Sequence, residues 1–405
     1  MHTTSGSGAP SQQPTSHSPT RLDWLDNLRV ALTVLVVIHH AAQPYGPADW
    51  WYVEDQPRTG PLATLSALDG SFFMSLFFFA SAVFVPVSYE RRGGRAFLKG
   101  RLLRLGIPLT VGALTIVPGL MYAYYVHYRG LPPIAFPRYF TDVYLGLGDE
   151  PAGWSGPSWP DLQFGHLWFI QNLLAYSLLY ALCRWLARLL AGDRERARSP
   201  RAGAAPGHRH LLLLATVIAV ASFLIRLEYP LDEWVPFLDI LQVEPARFPQ
   251  YAAFFTLGVL ASRRGWLERF DARVGWVWLA GGAAGAAALF AVGADADWLG
   301  PGGLDRASAL WAVYDSALCV ALCVGLLTLF RQAVTRRGRL QKELAASAYA
   351  VYVIHLPLVV TAQYFLADRA LPPATAWVIV SGLAVPASYL LSAGLRRLPG
   401  ARRVL

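Results

Sequence analysis

Charge and sulfur are both scarce in this chain. Only 15% of its 405 residues are charged, 55% are apolar, and the mean hydropathy is +0.36. That balance excludes an ordinary soluble globule and points to a protein of membrane-crossing segments. Cysteine occurs three times, at Cys183, Cys319 and Cys323, with no Cys-x-x-Cys pair. The odd count in apolar surroundings argues against a disulfide framework or a zinc site, so no metal is expected and the three read as small core residues. The first twenty residues are rich in Ser, Thr, Pro and Gly and lack any apolar run. They read as part of a disordered cytoplasmic tail over 1–22 and not as a cleaved signal. No connection is long enough to fold alone, the longest being 128–165 and 228–247, and no repeat of about 20–50 residues is present. The expectation is one membrane domain over 23–398 with a short cytoplasmic tail over 399–405. A flexible linker over Gly192 to His210 divides four spans from six.

What is abundant is apolar sequence in blocks. Ten segments stand out, near 28–45, 66–89, 102–127, 166–190, 211–227, 248–263, 275–293, 307–330, 345–367 and 374–395, the sixth being the weakest. The fold class is therefore all-α, a polytopic helical bundle of about ten transmembrane helices. The net charge of +9 is not spread as a nucleic-acid surface would be. Arginines crowd the even-numbered connections (Arg91, Arg92 and Arg95; Arg194 to Arg209; Arg263 to Arg273; Arg331 to Arg339) and the tail at Arg396, Arg397, Arg402 and Arg403. Acids fill the odd ones, from Glu54 and Asp55 through Asp161 and Glu244 to Asp305. By the positive-inside rule, the basic connections and both termini lie in the cytoplasm, which requires an even number of spans. The expected location is a cell membrane, with lipid as a partner and no nucleic acid.

Inside the first apolar run stand Arg29 and His40, and ionisable groups in hydrocarbon are functional candidates by default. Eleven steps of about 100° bring them within roughly 20° of one helix face, while His39 points roughly 80° away. Asp26 and Thr33 share the face of Arg29 and His40. Such a polar stripe must line a bundle interior or a wet cavity. One reading makes His40 a general base for a hydroxyl nucleophile, with Arg29, roughly 16 Å away along the axis, pairing with Asp26 or binding an anion. The other makes the stripe a proton relay in a transporter. The residues alone weigh these equally.

Further candidates are weaker. His355 precedes Pro357 in the ninth segment, with Tyr352 nearly on its face; either they complete a reaction cavity or His355 satisfies carbonyls freed by the proline. His166 and Trp168 open the fourth segment, and the amides of Gln171 and Asn172, one turn deeper, suggest a cavity wall. Tyr139, Tyr144, Trp154 and Trp159 stand among acids in the long second outer connection, where they could stack on a sugar or simply anchor the interface. Gly281, Gly282 and Gly285 read as close helix packing. His208 and His210 lack further metal ligands.

Four motifs in order resemble the membrane acyltransferase 3 family. These are RLDWLDNLRVALTVLVVIHH, with Arg29, ten residues, then His40; SLFFFASAVFVPVSY; FLKGRLLRLGIPL; and AYAVYVIHLPLV. GHLWFIQNLLAYSLLY is similar to the branch that includes glucan biosynthesis protein C, a membrane enzyme thought to succinylate periplasmic glucans. Two departures stand out: Ser81-Ala82 replaces the usual Ser-Gly, and Leu173 occupies a position that holds Glu in many sugar O-acetylating members. The resemblance implies transfer of an acyl group from acyl-CoA to a hydroxyl of a carbohydrate or glycosylated acceptor, including a secondary metabolite. It implies His40 and Arg29 as catalytic residues, and Arg101, Arg104 and Lys99 as binders of coenzyme A phosphates. Asp26, Trp168, Gln171, Asn172, Tyr352 and His355 would line the cavity. A proton-coupled glycan transporter or flippase is the rival.

Overall fold

The structure is a computed structural model that describes residues 22–46, 50–156, 159–191, 203–237, 241–294, 299–336 and 338–404. The expected disordered tail over 1–21 and most of the expected flexible linker, over 192–202, lie outside the described residues. A chain in hydrocarbon must satisfy every backbone group internally, and it does so here almost wholly by helices. They are α1 (Asp23–Ala42), α2 (Gly60–Ala82), α3 (Phe84–Arg92), α4 (Gly94–Arg101), α5 (Ile107–Tyr128), α6 (Trp168–Ala191) and α7 (His208–Arg226). There follow α8 (Phe248–Arg264), the one-turn α9 (Trp266–Arg269), α10 (Ala272–Val292), α11 (Arg306–Ala333), α12 (Arg339–Ala367) and α13 (Pro373–Leu395). A small antiparallel hairpin, β1 (Val235–Phe237) and β2 (Leu241–Val243), pairs Val235 with Val243.

Among the described residues, nine helical stretches are long and apolar enough to cross a membrane. The sixth expected segment is also a helix, α8, of 17 residues. At 1.5 Å per residue that is about 25 Å, the short limit for a span. It packs against α2, whose central window is 78% buried, the highest of the nine. The third segment starts earlier than expected. Between α4 and α5, a wide i→i+5 turn over Leu102–Gly106 keeps Gly94–Tyr128 continuously helical. Such insertions commonly mark functional sites.

Sequence chemistry sets the boundaries. The Asp271 and Asp305 carboxylates accept from the backbone N–H of Arg273 and Ser308, at 2.9 and 2.7 Å, and so start α10 and α11. Gly265, at φ +66°, ends α8 in the left-handed region. Because lipid gives helices no hydrophobic drive to associate, close approach matters most. A Cβ on Gly282 would lie 2.8 Å from Leu322 Cδ2, and one on Gly325 would lie 2.6 Å from Leu279 Cα, so α10 and α11 nest there. Gly285 is also tight against Leu318, whereas Gly281 faces open space and contributes nothing to that packing. Cys319 and Cys323 are buried as expected; Cys183 is exposed.

The basic connections share one end of the bundle. The Asn27 amide donates to the carbonyls of Val334 and Arg336, Arg331 donates to those of Leu267 and Phe270, and Arg188 lies over the Tyr89 ring. Acidic connections meet at the other end, where the Tyr124 hydroxyl donates to Glu54 and Arg129 pairs with Asp161.

Candidate active site

The first helix delivers its histidines to the bundle centre because Leu25, Leu28, Leu32 and Val36 bury one of its sides against the core. On α12, Pro357 lacks an N–H, so the Val353 carbonyl loses its helical partner. His166 repairs this. Its Nε2 donates to Val353 O at 3.0 Å, and the Tyr352 hydroxyl donates back to the His166 carbonyl. The proline-freed carbonyl is thus satisfied by His166, leaving His355 for another partner.

That partner is His40: its Nδ1 lies 2.8 Å from His355 Nε2, with the rings stacked at 5.0 Å. The tautomers follow from bookkeeping of protons. His355 Nδ1 faces only carbonyls, Tyr352 O at 2.8 Å and Val351 O at 3.2 Å, and must donate. In the arrangement that buries no charge, His355 Nε2 then carries a lone pair and accepts from His40 Nδ1–H. His40 Nε2 is left as a base. His355 is fully buried and His40 half-buried, so the base end retains access.

Residues not anticipated from the sequence complete this site. The Trp51 ring stacks on His40 at 5.7 Å, and its indole N–H donates to Gln363 at 2.8 Å. Gln363 donates in turn to the carbonyls of His40 and Ala41. His39 turns to the other side, 3.5 Å from buried Asp69, with the Gln43 amide 3.0 Å from its Nε2. Asp69 was legible as the lone carboxylate within its apolar segment. From Trp51 an aromatic wall leads outward: Trp51 meets Tyr52, Tyr52 meets Trp50, and Trp50 meets Tyr124, whose hydroxyl is 2.7 Å from Glu54.

The remaining candidates fall in three places. Arg29 lies 3.7 Å from Asp26, toward the basic end, and Thr33 bonds back to the Arg29 carbonyl at 2.8 Å. Arg101 immediately precedes the wide turn and Arg104 lies within it, Arg101 over the Phe97 ring and Arg104 exposed, with Lys99 exposed nearby. Tyr349 of α12, another residue missed from sequence, donates at 2.6 Å to the Arg104 carbonyl. It precedes His355 by six residues, about 9 Å along the helix. Trp168, Gln171 and Asn172 instead face the hairpin and α8: Trp168 stacks on Tyr251, and Gln171 exchanges hydrogen bonds with the Gln242 backbone and reaches Asn172.

Beside that wall lies a second polar cluster that sequence reading missed. Arg226 donates to Asp315 at 2.6 Å, both fully buried, and Arg247 lies 3.4 Å from Asp315 and from Glu244. Gln250 also donates to Asp315. Asp315 was visible as the one acid inside its apolar segment. Burial pushes the Glu244 carboxyl up to about 7; Arg247 offsets only part of this because its charge is shared with Asp315. In the connection between α5 and α6, burial likewise pushes Asp161 up to about 6 despite Arg129 at 3.2 Å and the Tyr139 hydroxyl at 2.7 Å. Tyr139 and Tyr144 are buried, and their hydroxyls are spent on Asp161 and on the carbonyls of Ala113 and Gln163. Neither offers a face to a sugar.

Residues 22–393 match the acyltransferase 3 family, described as an acyltransferase domain. The chain belongs to that family. No curated protein and no solved structure matches it. It is a multi-pass membrane acyltransferase, and the match covers every residue of the histidine pair, the wide turn and the ionic cluster. Among the described residues, no group of three or more His, Cys, Asp or Glu is arranged to hold a metal ion.

Proposed function

We propose that this acyltransferase 3 protein moves an acyl group from acyl-CoA to a hydroxyl of a carbohydrate or glycosylated acceptor, with His40 as general base. The observation that carries the proposal is the free Nε2 of His40, fixed by the chain of donors from the α12 carbonyls through His355. His40 Nε2 takes the acceptor hydroxyl proton as the oxygen attacks the thioester carbonyl; the bond to sulfur breaks, and the proton leaves on the thiol of coenzyme A. As His40 gains charge, its Nδ1–H bond to His355 strengthens, the role a carboxylate plays in other triads.

The donor enters from the basic end, taken to be cytoplasmic, where Arg101, Arg104 and Lys99 hold phosphates. Arg29 binds the donor or balances developing negative charge. Tyr349 supports this route by tying the arginine turn to the helix that carries His355. The acceptor approaches from the acidic end along Trp50, Trp51 and Tyr52, with Glu54 as a hydrogen-bond acceptor for its hydroxyls. A succinylating enzyme of the glucan biosynthesis protein C branch is one member of this class of reaction.

The run His40, His355 and His166 also suits proton relay in a glycan transporter. Donor dependence separates the two. With isotopically labelled acyl precursors, mass spectrometry of surface glycans from cells carrying wild type, His40→Ala or empty vector should find a labelled ester with wild type alone. Unmodified glycan in all three, but in altered amount outside the cell, would establish transport instead.

A further inference from the structure

His40 stands two residues from the end of α1 that meets the acidic connections, about 3 Å along the axis. A thioester held against its Nε2 is open there to water as well as to an acceptor. With water, His40 takes the proton, the oxygen bonds to the acyl carbon, the bond to sulfur breaks, and the thiol of coenzyme A leaves beside a free acid. A transferase has to keep water from this position.

The segment over residues 51–54, which follows that end of α1, lies against the base. The Trp51 ring stacks on His40 with centroids 5.7 Å apart and planes 19° from parallel. Tyr52 and Val53 are 3% and 1% exposed, so the segment is folded into the bundle and does not merely cross its surface. Three side chains fasten it. Gln363 Oε1 accepts from the Trp51 indole at 2.8 Å, the Tyr364 hydroxyl donates to the Tyr52 carbonyl at 2.9 Å, and the Tyr124 hydroxyl donates to Glu54 at 2.7 Å. Two neighbouring residues of α12 thus hold two neighbouring residues of the segment. Gln363 is fully buried, and its amide nitrogen donates to the carbonyls of His40 and Ala41, at 3.1 and 3.3 Å. Its orientation is fixed, because a flipped amide would set oxygen against those carbonyls and N–H against the indole N–H. One amide therefore ties the cover to the backbone of the base.

We propose that residues 51–54 are a strap that shields His40 from water, and that Gln363 and Tyr364 are positioning residues whose hold on it sets the preference for an acceptor hydroxyl over water. The inference rests on His40 acting as the base. A loosened strap leaves that base intact and lets water compete, so its signature is a gain, faster hydrolysis of the donor.

The test measures free acid released from acyl-CoA by the purified full-length protein without acceptor, using the acyl group found on the surface glycans of wild-type cells. Trp51→Ala and Gln363→Leu should each hydrolyse the donor at least roughly fivefold faster than wild type, the opening that loss of one hydrogen bond allows. The ester they leave on glycans in cells should fall. Tyr364→Phe removes one hydroxyl and should raise hydrolysis less than Gln363→Leu. Should Trp51→Ala fail to fold, Trp51→Phe, which keeps a ring but lacks the indole N–H, takes its place. Adding His40→Ala should abolish the gain, because water uses the same base; a gain that survives it would overturn the proposal. Folded strap variants that hydrolyse no faster than wild type would overturn this inference alone, whereas full acyl transfer by His40→Ala would remove the reading on which it rests.

Discussion

Two polar clusters are buried in this bundle, and they are built on opposite principles. Around Asp315, two arginines, Glu244 and a glutamine lock one another by charge, while Nε and Nη1 of Arg226 have no hydrogen-bond partner among the described residues. Around His40, imidazoles, an indole and an amide hold one another by directed neutral hydrogen bonds, ending in a nitrogen with a lone pair and a path outward. Closed charge pairs fix a geometry; an open-ended chain of donors can pass a proton. The charged cluster is expected to govern folding and the imidazole cluster chemistry.

The sharpest test of that division is His40→Ala. It should lower acyl transfer by about 10²–10⁴-fold, the usual worth of general acid–base catalysis, while thermal stability in detergent stays near wild type. Next, Asp315→Asn should do the reverse. Two buried guanidinium groups lose their shared counter-charge, at a cost of about 3–5 kcal/mol, read as a lowered melting temperature and yield. If the folded remainder were as active per molecule as wild type, the division would hold; if it were stable and inactive, it would break.

A finer comparison lies within the imidazole cluster. His355→Ala should cost on the order of 10–100-fold in kcat, as losses of a partner that orients a functional imidazole generally do. His355→Gln should recover part of this, since an amide oxygen can still accept from His40 Nδ1–H. An activity unchanged in both would show that the tautomer is set elsewhere. The smallest effect concerns pH in the charged cluster. Glu244 titrates near 7 in the fold against an ordinary value near 4.5. Its raised value means that its contribution to stability is fully present below about 4.5 and is lost as pH rises through 7. Glu244→Gln should therefore match wild type near pH 4.5 and melt at a higher temperature above pH 7; parallel melting curves at all pH values would count against it.

Much of this molecule is readable from local sequence because a bilayer imposes local rules. Apolar blocks must become helices, and arginine bias orders the connections, so the bundle and its two ends follow from composition and position. Lone ionisable groups in such blocks flag themselves as costly, which is why Arg29, His40 and His355 stood out. Asp69 and Asp315, each the lone acid of its apolar block, carry the same signal. Helical periodicity also set His40 apart from His39.

What periodicity cannot supply is the partner. His40 and His355 are 315 residues apart, and Trp51 and Gln363 are 312 apart. Only the packing of α1 against α12 chooses among the possible pairings. The same holds for the proline: its position predicts a freed carbonyl at Val353, but only tertiary contact with α6 decides that His166 fills it and so leaves His355 to orient His40. The sequence by itself determined the spans, the polarity of their ends and the residues too costly to be idle. The tertiary structure decided which of those residues share protons and which share charge, because hydrogen bonds and ion pairs act over a few ångströms and only folding brings their partners that close.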